Sequence, residues 1–451
     1  MSGDHLDVAT VTAARDRGVD ALLRTQHADG WWKGELQANV TIDSEDLMLR
    51  QFLGILTPVQ TERTALWIRS QQRDDGTWAT FTGGPGDLST TVEAYAALRL
   101  AGDPPDAAHM EKAAAFVRDA GGLERARVFT HLWLALGGRW PWDAVPALPP
   151  EVILLPQWCP LNIYDFACWA RQTIVALTVV AAHRPARPLP FELTELRTGV
   201  PPLPGHSVRT IEGRFELLDR VLHRYERHPL KFLRRRAIDR ALAWIRQRQE
   251  ADGSWGGIQP PWVYSLLALH LEGYPLDHPT IQKGFAGLDT FTIDDDLGRR
   301  IECCQSPVWD TALAVIALAD AGLPADHPAL TRAAEWMLGH EIRVAGDWAV
   351  RRPDLEPAGW AFEFENDNYA DTDDTAIVGL ALRRVAGPSV DDACGRAMRW
   401  LEGMQSTGGG WGAFDADNTR ELCRRLPFCD FGEVIDPPSA DVTAHIVEFL
   451  A

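Results

Sequence analysis

Arg240-Ala241-Leu242-Ala243-Trp244-Ile245-Arg246-Gln247-Arg248-Gln249-Glu250-Ala251-Asp252-Gly253-Ser254-Trp255 sets out a pattern that recurs along the chain. A basic residue precedes a small one, an aromatic precedes an aliphatic, a Gln follows, and Gly-x-Trp closes the unit. Arg17-Gly18 leads to Gln26 and Gly30-Trp31-Trp32, and Arg63 leads through Trp67-Ile68 to Gln72 and Gly76-Thr77-Trp78. Arg396-Ala397 leads through Trp400-Leu401 to Gln405 and Gly409-Gly410-Trp411. A fifth copy, Arg332-Ala333, Trp336-Met337, Glu341 and Gly346-Asp347-Trp348, has Glu in place of Gln, and Lys112-Ala113 to Phe116-Val117 keeps only the first half. Each copy reads as the end of a helix whose apolar face is capped by a Gly turn, with Gln and Trp pinning that turn to its neighbour. The repeat supplies part of the reason for 18 tryptophans in 451 residues.

A second repeat follows the first. Asp87-Leu88-Ser89-Thr90-Thr91-Val92-Glu93, Trp309-Asp310-Thr311-Ala312, Asp373-Asp374-Thr375-Ala376 and Asp441-Val442-Thr443-Ala444-His445 all open apolar helical runs. Turn, helix start and helix end recur every roughly 50–70 residues with almost no alternating strand pattern, which predicts a toroid of paired helices. The expected fold is all-α, a double α/α-barrel: an N-terminal segment over 1–15, a first barrel over 16–300, and an incomplete second barrel over 301–451. Inner-helix starts in such a ring face a common axis, so Asp371, Asp373, Asp374 and His445, at equivalent positions in successive repeats, can meet there.

The acids lie in Asp371-Thr372-Asp373-Asp374-Thr375-Ala376, directly before Ile377-Val378-Gly379-Leu380-Ala381-Leu382. That order places them at a helix N-terminus, where unpaired N–H groups and the dipole stabilise a carboxylate left by proton loss. Crowding disfavours full ionisation, so one carboxyl held protonated at neutral pH is a usable Brønsted acid. The same residues also suit a plain N-cap. They do not make a calcium loop, because the required Gly falls on Ala376 and the closing Glu on Leu382.

With 44 basic against 63 acidic residues, net charge −19, a nucleic-acid partner is not expected. Seven cysteines (Cys159, Cys168, Cys303, Cys304, Cys394, Cys423, Cys429) form no CxxC pair, pointing to reduced thiols rather than a disulfide frame or zinc site. Asp4, Asp7, Arg15 and Asp16 stand where an export signal needs an apolar core, and the apolar run Ile174 to Ala182 is too short to span a bilayer. A cytoplasmic protein, soluble or lying on a membrane surface, is expected. Pro141 to Pro160 and Pro185 to Pro204 read as loops or linkers, and Asp294-Asp295-Asp296 as a solvated loop. Leu222 to Ile238 is a basic amphipathic stretch, either a solvated helix or an attachment to anionic lipid.

The Gln-x-x-x-Gly-x-Trp copies together with Asp-x-Asp-Asp-Thr-Ala resemble the class II terpene cyclases, and among them the squalene-cyclising, hopanoid-forming branch. Ser254 to Trp262, Ser306 to Thr311, Trp360 to Phe364 and Pro427 to Glu433 carry the likeness, which runs from about residue 10 to the end. The resemblance implies protonation of a terminal alkene by Asp373 without metal or other cofactor, on squalene or a similar polyisoprenoid taken from the inner face of a membrane. It implies that His445 hydrogen-bonds Asp373 as a cation and strengthens it as an acid, with Asp371 and Asp374 completing the charge balance. Trp309, Phe362 and Trp169 would line a wall for migrating cations, with Glu45, Glu93 and Gln259 holding polar or water sites at the far end. Phe166, Phe428 and Cys429 would lie along the access channel. Phe414 stands where the family usually has a tyrosine, which keeps the aromatic face and loses a hydroxyl. The sequence stops at Ala451, so the family's last third is expected to be absent and the acid-bearing ring open unless a homodimer or a complementing C-terminal chain closes it. Two rivals stay open: a class II cyclase of shorter isoprenoids, and a non-catalytic lipid-binding remnant or partner subunit.

Overall fold

In the structure, a computed structural model describing residues 7–199, 207, 209–426 and 432–451, the repeat closes on the same atoms each time. The indole Nε1 of Trp32, Trp78, Trp255 and Trp411 donates to the carbonyl ten residues upstream, on Leu22, Ile68, Ile245 and Leu401, at 2.7–2.8 Å. The Gln amide donates twice: Gln249 reaches Gly253 O at 3.2 Å and Thr280 O at 2.9 Å, the latter at the start of another helix. Gln26 bonds Gly30 and Ala329 in the same way, and Gln72 bonds Gly76 and His109. Among the described residues, Gln405 makes only the first of these bonds, to Gly409 at 2.7 Å. The glycine is required because the turn runs against that neighbouring helix. Gly253 has φ +97°, and a Cβ there would sit 2.1 Å from the carbonyl oxygen of Lys283.

The second repeat supplies the complementary half of the pin. The backbone N–H of Trp32, Trp78 and Trp411 donates to the hydroxyl of Thr311, Thr91 and Thr443 at 2.9–3.2 Å, each Thr lying in the first turn or so of an inner helix. In the fifth copy the same role falls on Trp360, whose N–H donates to Thr375 Oγ1 at 3.0 Å. Its Nε1 donates to Met337 O at 2.6 Å, 23 residues upstream rather than ten. The repeat tryptophan is therefore Trp360, not Trp348, and thirteen extra residues lie inside this copy. Trp348 has no partner for its indole N–H among the described residues and packs edge-on against Trp400, with ring centroids 5.7 Å apart. Glu341 keeps the accepting half of the Gln role, taking Arg396 at 2.8 Å as the Gln26 carbonyl takes Arg332 at 2.6 Å, and has no N–H for the donating half.

The helices assemble into two compact units. One comprises Leu36–Cys304 and Arg420–Ile435. Its inner helices Thr41–Leu53, Leu88–Leu100, Val128–Leu136, Cys168–His183 and Gln259–Leu271 are backed by Pro58–Ser70, Ala108–Asp119, Lys231–Gln247 and Pro279–Thr290. The other comprises Met1–Glu35, Gln305–Thr419 and Asp436–Ala451. There Pro307–Asp320, Thr372–Leu382 and Ala440–Leu450 lie side by side, backed by Val8–Thr25, Pro328–Gly339 and Pro388–Met404. Inner helices are apolar all round because neighbours cover them on every side. Ten of the residues of Thr372–Leu382 are buried, all but Asp373. This is the all-α, α/α-barrel architecture expected.

Three local expectations change. Asp294, Asp295 and Asp296 are solvent-exposed as expected, but the first two belong to an antiparallel hairpin, Thr292–Asp295 with Gly298–Ile301, and pair with Arg63 at 2.7 Å and Arg300 at 3.0 Å. The Pro-rich span after Pro141 is not a free linker, since the short turn Pro150–Leu154 packs on helix Lys231–Gln247. The basic stretch divides between helices Ile211–Arg227 and Lys231–Gln247. Arg234 and Arg235 are drawn into pairs with Glu151 and Glu272, while Leu217, Val221, Leu230 and Phe232 are left exposed.

Candidate active site

Asp371 is the N-cap of helix Thr372–Leu382 and is extended, with its N–H bonded to Trp360 O at 2.7 Å. Its Oδ1 accepts the N–H of Asp373 at 2.6 Å and of Asp374 at 3.1 Å, so one carboxyl occupies the helix start and leaves the next free to face outward. Thr375, which receives the Trp360 N–H, donates its hydroxyl to Asp371 O at 2.5 Å. Repeat pin and acid cap are thus one hydrogen-bonded piece. Asp371 and Asp374 are buried, whereas the Asp373 side chain is 20% exposed. His445, in the second turn of Ala440–Leu450, places Nδ1 2.7 Å from Asp373 Oδ1.

Burial holds the Asp371 carboxyl well above the usual carboxylate range. The Asp374 N–H pulls it down and the Asp373 and Asp436 charges push it up by lesser amounts. Asp374 is likewise held well above that range, by burial first and then by Asp371, Glu363 and Asp373. Crowding among the acids does act, but burial is the larger cause. Asp374 Oδ1 has no hydrogen-bond partner among the described residues, as suits a carboxyl that does not ionise readily. Burial disfavours charge on both neighbours, and the geometry presents one reachable carboxyl with an imidazole behind it.

Aromatic rings stand beside the imidazole that meets this carboxyl. The Trp309 ring centroid lies 6.1 Å from that of His445 and 6.5 Å from that of Phe362. Phe414 is fixed by a residue that sequence reasoning missed: the Asp436 carboxylate accepts the N–H of Ala413, Phe414 and Asp415 at 2.7–2.9 Å. Burial raises Asp436 to about 6 against the pull of those N–H groups. The same loop is tied to the acid helix through Thr372, whose N–H donates to Ala413 O and whose hydroxyl donates to Gly412 O, both at 2.7 Å. Glu363, beside Asp374, was also missed, although it lies in the quoted Trp360 to Phe364 stretch.

The other unit holds a second polar cluster. Glu45, Glu93, Arg127, Trp169 and Tyr264 line a cavity of about 220 Å³. Glu45 is pushed well above the usual range by burial and by Glu93, with Trp133 and Gln259 beside it pulling the other way. Burial raises Glu93 to about 7 although it accepts a hydrogen bond from the Thr130 hydroxyl. Trp169 therefore shares a cavity with these carboxyls, its Nε1 donating to Glu433 O at 2.9 Å. Phe166 is 2% exposed, packed with Ala170, Ile174, Val434 and Ile435. Phe428 and Cys429 lie outside the described residues.

Two family profiles match the chain: squalene-hopene cyclase N-terminal domain over residues 16–297, and squalene-hopene cyclase C-terminal domain over 305–451. The squalene–hopene cyclase of Alicyclobacillus acidocaldarius is 48% identical over 455 residues, covering 99% of this chain and 72% of that protein. That of Zymomonas mobilis is 38% identical, covering 96% and 69%. A dammaradiene synthase from Dryopteris crassirhizoma is 36% identical, covering 100% and 67%.

Proposed function

The chain belongs to the squalene-hopene cyclase family, and from that premise we propose that it cyclises squalene to hopanoids, started by proton transfer from Asp373. The observation that carries this reading is the Asp373–His445 contact at the head of a helix whose other two acids are buried, which disfavours their ionisation. The π electrons of the terminal alkene take the carboxyl proton, leaving a tertiary cation on the substrate and a carboxylate on Asp373. The His445 N–H and the helix start stabilise that carboxylate.

Each later cation needs negative potential without a nucleophile. Trp309, Phe362 and Phe414 supply ring faces, worth about 2 kcal/mol or more apiece when desolvated. Glu45, Glu93 and Gln259 hold water or accept the last proton, a role that a carboxyl titrating near 7 fits. The substrate arrives from a membrane surface on the cytoplasmic side. Exposed Leu217, Val221, Leu230 and Phe232 beside basic residues support docking there, and no helix among the described residues is long and apolar enough to cross a membrane. The test is squalene turnover in detergent micelles, followed by mass spectrometry of the lipid extract. Cyclised product that vanishes in Asp373→Asn is expected; undiminished product in that variant overturns the assignment.

A further inference from the structure

Cys303 and Cys304 are adjacent in sequence and in contact, with Sγ atoms 3.7 Å apart. Neither is fully buried. Cys303 lines an open groove of about 550 Å³ whose walls include Asn39, Gln71 and Phe81, so small solutes reach this member of the pair. The backbone that carries them is held from both sides. The Cys303 carbonyl accepts the Gln259 N–H at 3.1 Å, Glu302 N donates to Phe291 O at 2.9 Å, and Ile301 N donates to the buried Asp43 carboxyl at 2.9 Å. The Cys304 thiol, as hydrogen-bond partner, is the largest cause drawing Cys303 below the usual thiol range, which favours the thiolate.

A disulfide would require the sulfurs to close to about 2.05 Å across two adjacent residues, which the fixed backbone opposes. At the observed sulfur separation an atom about 2.3 Å from each, the length of a zinc–thiolate bond, fits between them, so both thiols can bond one bridging centre with little movement. We propose that Cys303 and Cys304 form a dithiol site for a trivalent arsenical, a thiophilic centre with two exchangeable ligand positions. With an arylarsine oxide, two As–S bonds form, the As–O bond breaks, and the oxygen leaves as water with the two thiol protons. No oxidation state changes. Preorganisation of the second thiol makes its capture intramolecular, so the pair binds about 10²-fold or more tighter than either thiol alone. This site is independent of the cyclase reading.

Phenylarsine oxide is the probe, applied to the full chain under native conditions and read by intact mass and by alkylation mapping. One arsenical per chain is expected, with Cys303 and Cys304 protected from iodoacetamide and retention lost by about 10²-fold in both Cys303→Ser and Cys304→Ser. Uptake that leaves both thiols alkylated, or that survives either substitution, overturns the proposal. So does failure of the native chain to take up the arsenical, and that arm, like the mapping, needs no variant.

Discussion

Replacing Thr375 with Val removes an oxygen that two parts of the molecule share. The hydroxyl accepts the Trp360 N–H at 3.0 Å and donates to Asp371 O at 2.5 Å, and all three residues are buried. The Asp371 carbonyl keeps the Thr375 N–H at 3.1 Å, so it is not orphaned. The Trp360 N–H loses its nearest acceptor and keeps only the bridged Asp371 carbonyl beside it. An unsatisfied buried donor costs about 1–3 kcal/mol; the bridged Asp371 carbonyl relieves part of this, and the lost hydroxyl donation adds back about 1, for a total of about 2–3 kcal/mol. For a unit of this size that lowers the melting transition by about 4–12 °C. Because the same oxygen sets the start of the acid helix, turnover falls as well; displacement of a reacting group by about 1 Å costs up to about 10²-fold. Trp348→Phe is the comparison: it removes an indole N–H that bonds nothing among the described residues, keeps the edge contact with Trp400, and costs about 1–2 kcal/mol for the space the smaller ring leaves. Scanning calorimetry and squalene turnover on both variants read the outcome. A Thr375→Val protein that melts with the wild type, or a Trp348→Phe protein that loses more, refutes the assignment of Trp360 as the repeat residue.

Asp374→Asn tests the buried acids by linkage. The folded-state value of Asp374 is raised above 3.8, so its contribution to stability is whole below that pH and is lost as pH rises through the folded value. Urea midpoints of the wild type should therefore fall from acid toward neutral pH more steeply than those of the variant; parallel slopes contradict the burial argument. Glu93→Gln should alter the ratio of alcohol to alkene product while leaving initiation at Asp373 intact, and an unchanged product ratio removes Glu93 from the final step. Gln249→Leu breaks two hydrogen bonds where Gln405→Leu breaks one, so at about 1 kcal/mol per bond the first variant is the less stable in chemical denaturation.

Much of the fold was legible because the repeat is written in local chemistry. Gln, Gly and Trp at fixed offsets state where a helix ends, and an Asp or Thr before an apolar run states where the next begins. The fifth copy misled because Gly346-Asp347-Trp348 satisfies the turn pattern, while the residue that decides the matter, Thr375, acts through a tertiary contact with Trp360 that no spacing encodes. At the site, the order of acids was readable from the helix start. That burial outweighs crowding at Asp371 and Asp374 was not, because burial depends on what the other helices cover. Asp436 was invisible for a different reason: its partners are backbone N–H groups, which every residue has, so nothing in the side-chain pattern of 413–415 announces it.

The thirteen extra residues between Met337 and Trp360 show what kind of change this architecture tolerates during evolution. The pin fixes two backbone atoms and one hydroxyl and is indifferent to the length of chain between them, since each doubling of a loop adds only about 0.6 kcal/mol of closure entropy. A lineage can therefore lengthen one turn of a single repeat without disturbing its siblings, and the added chain brings new side chains beside the existing helices, as Trp348 does at Trp400. Protein engineers can use the same freedom. The place for a foreign segment is the long turn between Glu341 and Trp360, because Gln-to-Gly bonds and close glycine packing hold the short turns of the other copies.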